Sequence, residues 1–119
     1  MRCLLFACAT LVPPTAVAQP FSESMMDCAA LYQSAAQFVS TEANYDKLIY
    51  LSRQWAQKAI SQTSAEGSPQ SEATVMHQID AKAKAWEAKG ASVFMAEEFR
   101  DWTAYCKAFG RPQGIRTER

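Results

Sequence analysis

Two cysteines constrain this chain more than any other feature. Of its four, Cys3 and Cys8 lie in an apolar leader, which leaves Cys28 and Cys106 to pair with one another across most of the remaining chain. Cys106 sits within a helical pattern. Met95, Phe99, Trp102, Cys106 and Phe109 follow at spacings of four, three, four and three residues, which puts five apolar side chains on one helical face. A cysteine on such a seam is buried, so its bond runs through the core and fixes the last helix beside the first. Gly110 is placed to supply a left-handed terminating residue, Arg111 to meet the negative end of the helix, and Pro112 to prevent continuation.

The leader consists of Arg2, an apolar run from Cys3 to Val12, a break at Pro13 and Pro14, and the small residues of Ala16-Val17-Ala18. This is the pattern of a secretory signal peptide over residues 1–18, cleaved after Ala18, so the mature chain is expected to be secreted or periplasmic and to begin at Gln19. The apolar run is about half the length that spans a bilayer, so no transmembrane span is expected after processing. A lipoprotein signal ending at Cys8 fits worse, because bulky Phe6 occupies a position where a small residue is usual.

With 119 residues, 49% of them hydrophobic and 20% charged, the chain has the material for one globular domain and is not a disordered polymer. Twelve basic and twelve acidic side chains cancel. There is no basic excess to capture nucleic acid. Alanine is abundant and glycine and proline are scarce, which favours helix over strand.

Four helical segments follow. In the first, Ser22 is placed to cap and Phe21 to pack on Met26, while Met25, Cys28, Leu31, Tyr32, Ala35, Phe38 and Val39 form an apolar arc and Ala29, Ala30, Ala35 and Ala36 permit close approach of a neighbour. Ser40 and Thr41 cap a second helix carrying Tyr45, Leu48, Ile49, Ser52, Trp55, Ala56, Ala59 and Ile60, close enough in sequence to form an antiparallel hairpin with the first. Residues 61–67 are polar and read as the one long loop. A third helix is expected from Ser68-Pro69, with Met76, Ile79, Ala83 and Trp86 inward and Lys82, Lys84, Glu87 and Lys89 in water. The third and fourth seams are out of phase by roughly 140° at 3.6 residues per turn, so a break is expected near Gly90. The expected fold is therefore all-α, a small antiparallel bundle of four helices in two hairpins closed by one disulfide. It comprises a domain over residues 19–110 and a flexible tail over residues 111–119.

Chemistry is sparse. His77 is the only histidine, and Asp80 three residues on makes no metal-ligand pattern with it. Glu97, Glu98 and Asp101 suit a helix dipole better than general acid or base work, since no nucleophile or proton donor accompanies them. Haem between His77 and Met25 or Met26 lacks an attachment motif and a second histidine. Trp55, Trp86 and Trp102 fall on the seams of their helices, where packing accounts for them. No cofactor, metal or catalytic residue is assigned. The expectation is an exported non-enzymatic helical protein acting through an unidentified protein partner, as an inhibitor, an immunity-type protein or an envelope accessory factor. The alternative is a small-molecule or haem carrier that binds between its helices near the tryptophans.

Overall fold

A computed structural model of the chain describes residues 19–117. The signal-peptide reading, with Cys3 and Cys8, lies outside the described residues. Four helices follow one another, α1 (Phe21–Ala36), α2 (Glu42–Ala65), α3 (Glu72–Glu87) and α4 (Glu97–Gln113), with a 3-10 turn over Ala91–Met95 between the last two. Among the described residues there is no strand, and the chain is all-α. No described helix is long and apolar enough to cross a membrane.

The bundle is built around α1. Eleven of its sixteen residues are buried, which is burial on every side rather than along one stripe. It packs most extensively on α2, then on α3, and least on α4. α2 returns along α1, so that Glu66 at its end meets Ser22 at the start of α1, and midway the Ser52 hydroxyl donates to the Ala29 carbonyl at 2.8 Å. That bond requires the two helices to lie close together, and fully buried Ala29 and Ala30 allow it. α3 carries the chain to the other end, where Phe94 packs on Phe38 with ring centroids 4.4 Å apart. α4 then runs back until Phe109 meets Phe21, giving an up-down-up-down bundle.

The core is made of Met25, Met26, Leu31 and Tyr32 from α1, Leu51, Trp55, Ala56 and Ala59 from α2, Val75, Ile79 and Ala83 from α3, and the disulfide. From α4 only Cys106 and Gly110 are buried. Phe99, Trp102 and Phe109 of the expected seam thus pack on the core from outside, only partly buried. Met95 is 82% exposed, because Gly90 at φ 88° and the 3-10 turn place it outside α4 and out of phase with Phe99.

Helix boundaries depart from the sequence reading at the end of α1, which stops at Ala36 before Phe38 and Val39, and in four further places. Gly110 is helical, and α4 continues through Pro112 to end on Gly114 at φ 74°. Gly114 N–H bonds the Arg111 carbonyl and Ile115 N–H bonds the Gly110 carbonyl, which is the paired arrangement that closes a helix with a left-handed residue. The hydrophobic residue after the cap, Ile115, packs back on the core. The expected flexible tail is therefore helical over residues 111–113 and held beyond them, since the Gln54 side chain bonds both the N–H and the C=O of Arg116, at 2.8 and 2.7 Å. The second departure is the long loop, because residues 61–65 extend α2. Buried Thr63 donates to the Ile60 carbonyl and accepts from Gln70 N–H, satisfying both helix and connection, and Gly67 at φ 80° makes the turn. Third, α3 begins after Ser71, whose hydroxyl accepts from Thr74 N–H, and not at Ser68-Pro69, since the Gln70 amide is already committed to Thr63. Fourth, Ser22 does not cap α1 with its own side chain. It lies inside the helix, and its N–H and hydroxyl both bond the Glu66 carboxylate.

Candidate functional site

Cys28 and Cys106 are bonded, with Cα atoms 5.7 Å apart. This is the covalent tie that the sequence predicts between the first and last helices. Around it the outer face of α4 carries a run of touching rings. Trp102 meets Tyr105 edge-on at 5.6 Å, Tyr105 stacks on Phe109 at 5.7 Å, and Phe109 in turn contacts Phe21 at 5.7 Å and stacks on buried Trp55 at 5.3 Å. The run is anchored in the core at Trp55, yet Phe21 is 59% exposed and Tyr105 44%. Between Asp101, Trp102 and Tyr105 lies a shallow depression of about 230 Å³. The sequence pattern placed Trp102 and Phe109 on an inward seam and left Tyr105 and Phe21 out of it. The spacing of Trp102, Tyr105 and Phe109, three and four residues, was the signal that a second aromatic line ran beside the cysteine.

A second set of rings continues from the other end, from Phe38 through Phe94 and Phe99 to Trp86. Trp86 and Trp102 meet at a notch of about 210 Å³ that Asp27, Lys82, Ala85 and Lys89 also line. Of the three tryptophans only Trp55 is fully buried; Trp86 and Trp102 are half-buried and pack against the core from outside.

Charge at the notch is internally compensated. Lys82, expected in water, instead bridges to α1, at 2.5 Å from Glu23 and 2.7 Å from Asp27. Burial pulls the Lys82 pKa down, but the hydrogen bonds and charges of Asp27 and Glu23 more than reverse this and raise it above the ordinary lysine value. Beside it Asp80 accepts from Gln33 at 2.8 Å. Glu23 and Asp27 stand one turn apart on the same flank of α1, the spacing that lets both carboxylates meet one cation from a neighbouring helix. Lys89 lies 4.8 Å from the centre of the Trp86 ring and pairs with Glu98 at 2.8 Å.

The remaining candidates are not drawn together. His77 is exposed on α3, whereas Met25 and Met26 are fully buried in α1. Glu97 and Glu98 occupy the first turn of α4, where their charge favours the helix, and Asp101 stands exposed beside Trp102. Among the described residues no group of three His, Cys, Asp or Glu side chains is arranged to hold a metal ion.

The architecture defines a small disulfide-closed all-α bundle with an aromatic outer helix. Compared with known proteins, the chain matches no family model, and neither a curated protein nor a solved structure shows significant similarity to it.

Proposed function

We propose that this chain is an exported, non-enzymatic binding protein that engages a protein partner through the aromatic face of α4, in the manner of an inhibitor, an immunity-type protein or an envelope accessory factor. One observation carries the reading. The rings of Trp102, Tyr105 and Phe109 form a continuous line along the helix that packs least on the rest of the bundle, prolonged by Phe21 at the start of α1, with both Phe21 and Tyr105 open to solvent. Aromatic side chains of this kind supply most of the binding energy in protein interfaces, because each presents a large rigid surface at small entropic cost. An exposed apolar line that a monomer gains nothing by displaying marks an interaction surface. The disulfide supports the same reading, since it holds α4 in place without requiring that its outer face be buried in the bundle.

Site-specific photo-crosslinking tests this directly. A benzophenone side chain at Tyr105 in the mature protein, exposed to its native envelope extract and irradiated, should yield one discrete adduct with another protein. The same group at Lys58, on the exposed side of α2, should not. Adducts that are equal at both positions, absent at Tyr105, or consist only of the protein joined to itself would overturn the proposal.

A further inference from the structure

The outer face of α4 holds one carboxylate beside two open rings. Asp101, Trp102 and Tyr105 line the depression of about 230 Å³, where the two rings meet edge-on, 84° apart with centroids at 5.6 Å. Asp101 and Tyr105 are exposed and Trp102 is half-buried, so the carboxylate and both rings stand open to an incoming group. Asp101 makes no ion pair among the described residues. The cations of its own helix point elsewhere. At about 100° per residue, Arg100, Lys107 and Arg111 fall roughly 120–160° around the helix from Tyr105, on the far flank.

The chain completes the same arrangement once for itself. At the neighbouring notch Lys89 Nζ lies 4.8 Å from the centre of the Trp86 ring and 2.8 Å from Glu98, so that one cation is held by an indole face and a carboxylate together. At Trp102 the indole and the carboxylate recur and Tyr105 adds a second ring, but no cation of the described residues joins them. The group that fits is therefore cationic and comes from outside. Two rings at right angles beside a carboxylate favour a guanidinium over an ammonium, because it is planar, weakly hydrated, stacks on aromatic faces and offers a carboxylate two N–H donors at once. A purely apolar anchor would cover the Asp101 charge with nothing to answer it. Arginine is also among the side chains that most often anchor protein interfaces.

We propose that the partner engaging the aromatic face of α4 seats an arginine side chain in this depression, its guanidinium against the Trp102 and Tyr105 rings and paired with Asp101. This rests on the reading of that face as a protein-binding surface and adds the chemistry of the group it receives.

The test titrates the oxidised mature protein, labelled with 15N at its three tryptophan indoles, with the tripeptide acetyl-Leu-Arg-Leu-amide. Two further peptides replace the arginine by citrulline, which keeps its shape and removes its charge, or by lysine. The Trp102 signal is assigned by its disappearance in Trp102→Phe. The arginine peptide should move the Trp102 indole signal to saturation and leave those of Trp55 and Trp86 in place, with the citrulline peptide weaker by at least about fivefold and the lysine peptide by at least about twofold. Asp101→Asn should abolish the preference for arginine over citrulline, whereas Glu97→Gln, one turn earlier and outside the depression, should keep it. The proposal is overturned if the arginine peptide gives no saturable shift or moves Trp86 equally, if citrulline or lysine binds as well, if Asp101→Asn retains the preference, or if Glu97→Gln loses it to the same extent. Should any of these occur while benzophenone at Tyr105 still yields its adduct, the partner-binding face stands and only the arginine is removed; loss of the adduct removes the face itself.

Discussion

A methyl group on Gly110 would stand 3.1 Å from Trp55 Cζ2 and 3.3 Å from Ile115 Cβ. In a helix, replacing glycine by alanine ordinarily adds about 1 kcal/mol of stability. Here Trp55 is fully buried and has nowhere to go, so overpacking outweighs the gain, and Gly110→Ala should lose about 1 kcal/mol in denaturant titration. A more stable variant would show that Trp55 yields. Glu66 gives a different kind of single-residue effect, because its carboxylate accepts from the free amide and the hydroxyl of Ser22 at the start of α1 from the end of α2. The Ser22 hydroxyl holds the Glu66 pKa below its ordinary value, with the Ser22 amide and Gln62 adding to it against a smaller opposing effect of burial. A carboxyl lowered in the folded state contributes stability above its ordinary pKa of 4.5, and that contribution disappears as pH falls through the lowered value. Wild type should therefore melt above Glu66→Gln at pH 7, with the gap closing as pH is taken towards 3. A gap independent of pH would mean that the Glu66 charge has no part in it.

At the level of elements, α3 is attached to α1 by packing at Val75, Ile79 and Ala83 and by the Lys82 bridge. Lys82→Met leaves Glu23 and Asp27 one turn apart with nothing between their charges. Because these side chains are partly exposed, the expected cost is modest, about 1–2 kcal/mol, and adding Asp27→Asn should recover part of it. The raised Lys82 pKa means that its contribution is complete below the ordinary value of 10.5 and lost only as pH rises through the raised one, so it is constant across neutral pH. Melting of wild type and Lys82→Met from pH 7 to 11 checks both statements. An equal loss in both proteins at high pH would contradict the second.

The existence and order of the elements and the Thr41 cap of α2 were legible in the sequence, because Thr41, the apolar periodicities and the break at Gly90 are local signals. Their ends were less legible. Residues 61–65 look like loop by composition, and only a tertiary contact, Gln70 N–H on Thr63, shows why they stay helical. Gly110 carries the local signature of a helix stop, but its small size serves Trp55 from another helix, and the stop passes to Gly114. Of the site, the disulfide partners were readable from cysteine count and phase. The outward aromatic line was not, because periodicity gives the phase of a face without telling which of two adjacent faces meets the core.

For the whole molecule the picture is a buried axis, α1, with α2 and α3 packed closely on it and α4 held outside by the Cys28–Cys106 bond and a few aromatic contacts. The bond closes a loop of 78 residues, which in the chain-entropy view is worth about 4 kcal/mol. That is comparable with the net stability of a small domain, so Cys28→Ser/Cys106→Ser should melt far below wild type and lose order first in α4. A helix tied in this way can present its aromatic face to a partner while the rest of the bundle stays closed. Amide hydrogen exchange on the oxidised and reduced protein tests this arrangement most directly, because it reads each helix separately. Residues 25–32 of α1 should be the most protected in both states, and reduction should strip protection from residues 97–113 well before residues 25–32 are affected. Equal loss across all four helices, or protection in α4 that survives reduction undiminished, would contradict the account.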